Sequence, residues 1–176
     1  METNQIGRNI IRFVLIALLQ VLVLSRITPT GFLFPYVSFI FYPILFVLLP
    51  YKTPKVLLLF IGLFIGLFMD SFYNTLGVHA GACVATAFFR PYLLELLTPR
   101  GGYHLSHNLV PANYGHPWFL RYTGILVFLH LLVYFSFLLF SPVYAGQIFL
   151  RTLASFVFSM LFIYVYSVFS FSEEAR

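Results

Sequence analysis

Few residues of this sequence could do chemistry, and most of them lie inside apolar stretches. Asp70 is the only acidic residue deep in an apolar region, and the chain also has five histidines and one cysteine. Carboxylates and imidazoles can transfer protons or hold a metal ion. Cys83 has no second cysteine with which to form a disulfide or a thiolate metal site. These side chains limit the possible chemistry before any helix is placed.

The histidines do not form a recognisable ligand set. His104 and His107 are three residues apart and His116 follows, but no helical pattern, carboxylate or cysteine accompanies them. His130 stands alone in an apolar run, which favours a buried hydrogen-bonding residue over a proton relay, because a relay needs a chain of such groups. No nucleophile, acid–base pair or phosphate-binding loop stands out. We therefore expect no metal, no cofactor and no catalysis.

The composition predicts an integral membrane protein. Of the 176 residues, 61% are hydrophobic and only 9% are charged, whereas charged residues make up roughly a quarter of soluble domains. The net charge of +5 comes from lysines and arginines scattered near the ends of apolar runs. That scatter is typical of topology signals in lipid and not of a nucleic-acid-binding patch. We expect one all-α membrane domain covering residues 1–176.

Apolar runs predict six transmembrane helices. The predicted spans are residues 10–25, 32–49, 56–73, 76–97, 119–140 and 147–170. Pro35 and Pro43 predict a kink in the second span, and a purely structural kink is favoured over a broken helix that lines a substrate site. Gln20 is expected to face another helix. Arg90, near the end of the fourth span, can extend outward, so its charge need not be functional.

The distribution of basic residues predicts the orientation. One side of the six-span arrangement carries Arg8, Arg12, Lys52, Lys55, Arg90, Arg100, Arg121 and Arg176. The other side carries only Arg26 and Arg151. This bias places both termini, and the polar loop at residues 98–118, in the cytoplasm.

Small residues at helical spacing accompany the buried acidic residue. Gly62, Gly66 and Asp70 recur every four residues on the third span, and Gly77, Gly81 and Ala85 do so on the fourth. Residues four apart share one helix face, so the two faces are predicted to meet closely. Packing within the subunit is favoured over direct binding of a partner or ligand, although one seam can serve both.

A carboxylate at this depth needs a partner. Asp70 lies about 20 Å from the Lys55 end of its helix, in the far part of the hydrocarbon layer. In the predicted topology Arg26 and Arg151 lie toward the same surface. We predict that Asp70 pairs with Arg151 or Arg26, or accepts hydrogen bonds from Asn74 or His79.

The stretch around Asp70 resembles a known signature. Gly62-Leu-Phe-Ile-Gly-Leu-Phe-Met-Asp70, followed by Asn74-Thr-Leu-Gly-Val-His79-Ala, is similar to the signature of the MreD family of bacterial rod shape-determining membrane proteins. The resemblance extends over the whole chain in length and span number, and it is specific over about residues 55–97. The histidine-containing loop at 98–118 is not part of the family's general pattern.

The resemblance implies a non-catalytic scaffold. Such proteins act in the cell-elongation complex, the elongasome, with MreC, MreB, RodA and a class B penicillin-binding protein, and help direct side-wall peptidoglycan synthesis and cell shape. The family is similar in fold to the substrate-binding subunits of energy-coupling-factor vitamin transporters, so a small-molecule transporter subunit is the alternative. The short predicted outer loops, 71–76 and 141–146, leave little chain to cover a ligand and favour the scaffold.

Overall fold

The protein is helical throughout the residues that the computed structural model describes, namely 2–26, 36–103 and 109–170. Helices make up 79% of the structure and these residues contain no strand, which confirms the all-α class. The helices are α1 (Glu2–Leu22), α2 (Ile44–Leu48), α3 (Lys55–Tyr73), α4 (Val78–Leu96), α5 (Pro111–Tyr114), α6 (His116–Leu139) and α7 (Ala145–Ser170).

Three stretches among the described residues are long and apolar enough to cross a membrane: α3, α6 and Pro142–Ser170. α1 adds a shorter apolar stretch, Phe13–Leu22. Many large apolar side chains on these helices are exposed, including Phe60, Phe64 and Phe68 of α3. Exposed apolar surface of this extent is expected where lipid is the solvent. The structure thus agrees with the predicted membrane protein.

The predicted second span, residues 32–49, is not a kinked helix in its described part. Residues 37–43 have no regular helix, and only the five residues of α2 are helical. Pro43 takes the N-cap position of α2, where the missing N–H of proline costs nothing, so it begins a helix instead of bending one. Pro35 lies outside the described residues. The segment 37–43 is nevertheless half-buried or buried among the helices.

The predicted loop 98–118 is partly helical. It contains α5, and α6 begins at His116, three residues before the predicted start of the fifth span. His104 and His107 lie outside the described residues. His116 contacts Tyr164 of α7, whose hydroxyl lies 2.9 Å from the Nδ1 atom of the imidazole.

The long helices pack in the order α3, α4, α6, α7, so that α4 lies between α3 and α6. The buried side chains of α4 include three polar ones, His79, Thr86 and Arg90. Among the described residues, α1 makes only sparse contact with the other helices. The buried side chains of α1 are Ile16, Ala17, Gln20 and Val21 among those described.

Close packing of α3 against α4 depends on two glycines. A Cβ atom at Gly66 would lie 2.6 Å from the Ala80 nitrogen and 2.8 Å from the His79 oxygen, both main-chain atoms of α4. At Gly62 it would lie 3.0 Å from the Cys83 oxygen. Only glycine lets the two backbones approach this closely, as in other small-residue membrane interfaces. The predicted close contact of α3 with the fourth span is therefore present.

The α4 residues that form this contact differ from those predicted. Ala80, Cys83 and Ala87 face the α3 glycines. Gly81 instead faces α6, where a Cβ would lie 2.5 Å from the ring of Phe137. Gly77 is the N-cap of α4, has a φ of 82°, and would have nothing within 4 Å of an added Cβ. The four-residue spacing identified small residues correctly but not the face to which each belongs.

Replacing Gly66 by alanine should separate α3 from α4, because the new methyl group would meet main-chain atoms that cannot rotate away. Overpacking of this kind costs about 1–3 kcal/mol or more. Unfolding in mixed micelles should show this loss of stability for Gly66→Ala. The control is Gly124→Ala on α6, where a Cβ would make ordinary contact at 3.8 Å with Phe156. Equal stability of the two variants would refute the close approach at Gly66.

Candidate functional site

Asp70 joins the end of α3 to the beginning of α4. Its Oδ1 atom accepts hydrogen bonds from the His79 main-chain nitrogen at 3.0 Å and from the Thr75 hydroxyl at 2.5 Å. Its Oδ2 atom accepts one from the Ala80 nitrogen at 3.0 Å. His79 and Ala80 are the second and third residues of α4, whose N–H groups have no partner within the helix. Asp70 therefore caps α4 from a neighbouring helix.

This external cap replaces the one that α4 lacks. Gly77, at the N-cap position, has no side chain with which to bind the free N–H groups. A carboxylate at a helix N-terminus also interacts favourably with the helix dipole. The main-chain carbonyl of Asp70 accepts hydrogen bonds from Asn74 and Thr75, so one residue organises the whole turn between the helices.

Of the four predicted partners of Asp70, only His79 donates a hydrogen bond to its side chain, and it does so through the main chain. Asn74 ends α3 in the left-handed conformation, with a φ of 52°, which asparagine tolerates better than most residues. Within the described residues Asp70 forms no salt bridge with Arg26 or Arg151. The guanidinium of Arg151 lies 5.8 Å from the ring centre of Tyr36. The predicted ion pair is therefore replaced by a helix cap.

Gln20 binds the main chain of the non-helical segment. Its Oε1 atom accepts hydrogen bonds from the nitrogens of Phe41 at 2.7 Å and Tyr42 at 3.4 Å, and its Nε2 atom donates to the oxygen of Phe39 at 2.9 Å. Nε2 also donates to the Tyr73 hydroxyl at 2.7 Å. The expectation that Gln20 faces another helix is thus only partly right, because three of its four partners are main-chain atoms of residues 39–42.

A serine of α7 completes the support of the non-helical segment. The Ser155 hydroxyl accepts a hydrogen bond from the nitrogen of Ser38 at 2.9 Å. Main-chain groups at membrane depth need such partners, because hydrocarbon offers none. Gln20 and Ser155 therefore allow residues 37–43 to run through the bundle without a helix.

A chain of hydrogen-bonded side chains crosses the core next to this segment. We call it the polar chain, and it consists of His79, Tyr42, His130 and Thr86. The Tyr42 hydroxyl lies 2.9 Å from His79 Nδ1 and 2.7 Å from His130 Nε2, while His130 Nδ1 lies 2.8 Å from the Thr86 hydroxyl. All four side chains are fully buried. His130 is thus a buried hydrogen-bonding residue, as predicted.

Sequence reasoning missed Tyr42, the centre of the polar chain. It is one of twelve tyrosines, and no local pattern separates it from those at the lipid interface. The only available signal was that His79, His130 and Gln20 needed buried partners. The need for buried partners did not identify Tyr42, because Tyr42 lies in a segment that was predicted to be helical.

Arg90 lies at the other end of α4 and does not extend outward. It is fully buried, and its Nη2 atom donates to the carbonyl oxygens of Leu49 and Pro50, while its Nε atom donates to the Tyr122 hydroxyl at 3.0 Å. Leu49 is the C-cap of α2, so the guanidinium lies at the negative end of that helix. The interpretation that Arg90 can extend outward was wrong, because these carbonyls need a donor inside the protein.

An aromatic cluster covers the Arg90 end of the bundle. Tyr51 stacks on Tyr103 with ring centres 4.4 Å apart, and Trp118 stacks on Tyr122 at 5.2 Å. The Tyr103 hydroxyl donates to the Leu94 oxygen at 2.8 Å near the end of α4. Burial raises the pKa of Tyr103 to about 12. The cluster fixes the two loops and α6 against the end of α4.

An apolar groove of about 460 Å³ separates α1 from α3. Phe13 and Ala17 line it from α1, and Phe64 and Phe68 line it from α3. Among the described residues that line the groove, Ser71 is the one polar side chain, and its hydroxyl donates to the Leu67 oxygen at 2.9 Å. The groove can accept apolar side chains but offers a ligand few polar contacts.

The described residues provide no metal site: no three of their His, Cys, Asp and Glu side chains are placed to hold an ion. The buried polar groups mainly bind one another or the main chain. The arrangement is therefore suited to holding helices and a non-helical segment in fixed positions.

Replacing Gln20 by leucine should free the main chain of residues 39–42. Loss of one hydrogen bond is worth about 0.5–1.5 kcal/mol, so hydrogen exchange at the Phe41 amide should become up to about tenfold faster. The Ser38 amide, held by Ser155, provides an internal reference. Gln147→Leu, at an exposed position of α7, is the matched control. Unchanged exchange at Phe41 would contradict the Gln20 contact.

Asp70→Asn should weaken the cap, because the amide carries no charge and its NH₂ group cannot accept a hydrogen bond from α4. A charge-assisted hydrogen bond is worth about 1.5–3 kcal/mol, so the free energy of unfolding should fall by about that amount. Because Asp70 does not pair with Arg151, the losses in Asp70→Asn and Arg151→Gln should add in the double variant. A coupling of about 1 kcal/mol or more would instead indicate an ion pair.

Comparison of the chain with protein-family models, curated proteins and solved structures finds no match. The resemblance of residues 55–97 to the MreD signature therefore stays a prediction from the sequence.

Proposed function

We propose that this protein is a non-catalytic membrane scaffold of the bacterial cell-elongation complex, which maintains rod shape by directing side-wall peptidoglycan synthesis. One observation carries the proposal. The residues that resemble the MreD signature, Gly62, Gly66 and Asp70, are those that fix α3 to α4. These signature residues hold two helices together and do not form a reactive site. This role supports a protein on which other proteins assemble.

The two helices are held at several points along their contact. Gly62 and Gly66 bring the backbones together, and Asp70 fixes the turn between the helices. Helix pairs joined by both close packing and a charged cap resist sliding, because each contact allows only one register. A rigid pair can present a constant surface to other membrane proteins.

The partner surface that the structure favours is the groove between α1 and α3. Gly62, Gly66 and Gly81 face other helices of the same chain, so these glycines serve packing within the subunit. Beside the groove, the exposed rings Phe60, Phe64, Phe68 and Phe72 recur every four residues along α3. Apolar knobs of a transmembrane helix fit such a groove and stripe. MreC is the partner proposed for it, with MreB, RodA and a class B penicillin-binding protein in the wider complex.

The proposed topology has six crossings of the inner membrane, with both termini in the cytoplasm. Residues 37–43 span up to about 23 Å at 3.3 Å per residue, and α2 adds about 8 Å. This sum is an upper limit against a hydrocarbon layer of about 30 Å, because residues 41–44 form a turn. The second crossing is therefore assigned to the whole predicted stretch 32–49, of which residues 37–43 are not helical.

The same segment favours the alternative, a substrate-binding subunit of a small-molecule transporter. Unwound backbone at membrane depth forms the binding sites of many transporters. In this chain residues 37–43 are unwound beside the polar chain. However, the main-chain groups that would contact a ligand are partly occupied by Gln20 and Ser155. A vitamin-like ligand needs several convergent polar groups. In the described residues, most polar groups of this kind are already hydrogen-bonded to one another.

The test is performed in the bacterium that carries the protein. Depletion should turn rods into spheres, and the wild-type gene should restore them. The double variant Phe64→Ala/Phe68→Ala should be produced at normal levels, because both rings are exposed, yet fail to restore rods or co-purify MreC. Phe88→Ala/Phe89→Ala, two exposed rings on α4, is the matched control.

Two outcomes would contradict this proposal. Rods restored fully by the groove variant would exclude the groove as the partner surface. Normal cell shape after depletion, together with impaired vitamin uptake, would replace the scaffold with the transporter subunit.

A further inference from the structure

The direction of every hydrogen bond in the polar chain follows from its Thr86 end. The Thr86 hydroxyl donates to the carbonyl oxygen of Ala82 at 2.7 Å, since a carbonyl can only accept. A hydroxyl has one proton, so its contact with His130 Nδ1 must be one in which the imidazole donates. His130 therefore carries a proton on Nδ1.

The same reasoning extends to His79. In neutral His130 the Nε2 atom is an acceptor, so the Tyr42 hydroxyl donates its single proton to it. Tyr42 must then accept the hydrogen bond that it shares with His79 Nδ1. His79 thus carries its proton on Nδ1, and its Nε2 atom presents a lone pair.

That lone pair has no partner among the described residues, although the side chain is fully buried. The ring lies between Tyr73 and Tyr134, with ring centres 4.7 Å and 4.8 Å away. The polar chain ends at Thr86, because the Thr86 hydroxyl donates its proton to the carbonyl oxygen of Ala82. It cannot pass a proton through the bundle, but it is open to a donor at His79.

We infer that His79 Nε2 is the acceptor of a buried binding site for a small O–H donor, either water or the hydroxyl group of a solute. An unpaired buried acceptor destabilises the folded protein, and a bound donor removes that cost. The Arg151 Nε atom is also buried without a partner among the described residues. The site is independent of the scaffold proposal.

The test is nitrogen NMR of the full chain in lipid nanodiscs, with ¹⁵N-labelled histidine. His79→Phe assigns the His79 signals. The expected spectrum shows a proton on Nδ1 of both His79 and His130, with His79 Nε2 shifted from the position of a free acceptor toward that of a hydrogen-bonded one. A cross-peak between Nε2 and bulk water identifies water as the donor. A shift that appears only when glycerol is added identifies a solute hydroxyl.

Tyr42→Phe provides a second measurement that does not need a bound donor. Without the tyrosine oxygen the Nδ1–H group of His79 loses its acceptor, so the His79 Nδ1 signal should shift, while the signals of exposed His116 stay unchanged. A proton on His79 Nε2 in the wild type would overturn the inference. A free-acceptor shift at Nε2 both in water and with glycerol would do the same.

Discussion

Main-chain polar groups inside hydrocarbon must find partners within the protein, and this requirement explains the main buried side chains of the bundle. Asp70 binds the free N–H groups of α4, and Arg90 binds the free carbonyls at the end of α2. Gln20 binds three groups of a segment that has no helix. In each case a polar side chain on one element completes the hydrogen bonds of another.

Because each binds main-chain groups at a helix end, the buried charges of Asp70 and Arg90 do not need to form an ion pair with each other. A carboxylate at a helix N-terminus and a guanidinium at a helix C-terminus are each stabilised by the dipole of the helix that they cap. About ten residues of α4, or about 15 Å, separate the two caps. An ion pair would have satisfied the charges and left the helix ends without partners. The observed arrangement satisfies both, and it fixes α4 to α3 at one end and to α2 at the other.

The sequence was informative where a local pattern determines the contact. The spacing of Gly62 and Gly66 predicted close packing, because helical periodicity alone puts these residues on one face. It could not show that Gly81 faces Phe137, because that depends on how α4 is rotated between two neighbours. The unwound segment was also missed, since its stability comes from Gln20 and Ser155, which are distant in sequence. Tertiary partners decided these features.

Buried polar groups in a membrane protein invite a functional interpretation, but here most of them have a structural one. Asp70, Arg90 and Gln20 each bind main-chain groups that would otherwise lack partners, so their presence does not by itself indicate transport or catalysis. A binding site needs polar atoms that remain available after folding. Among the buried histidines that the structure describes, only His79 keeps such an atom, whereas the apolar groove between α1 and α3 remains open to lipid. The apolar groove is therefore distinct from the polar interior.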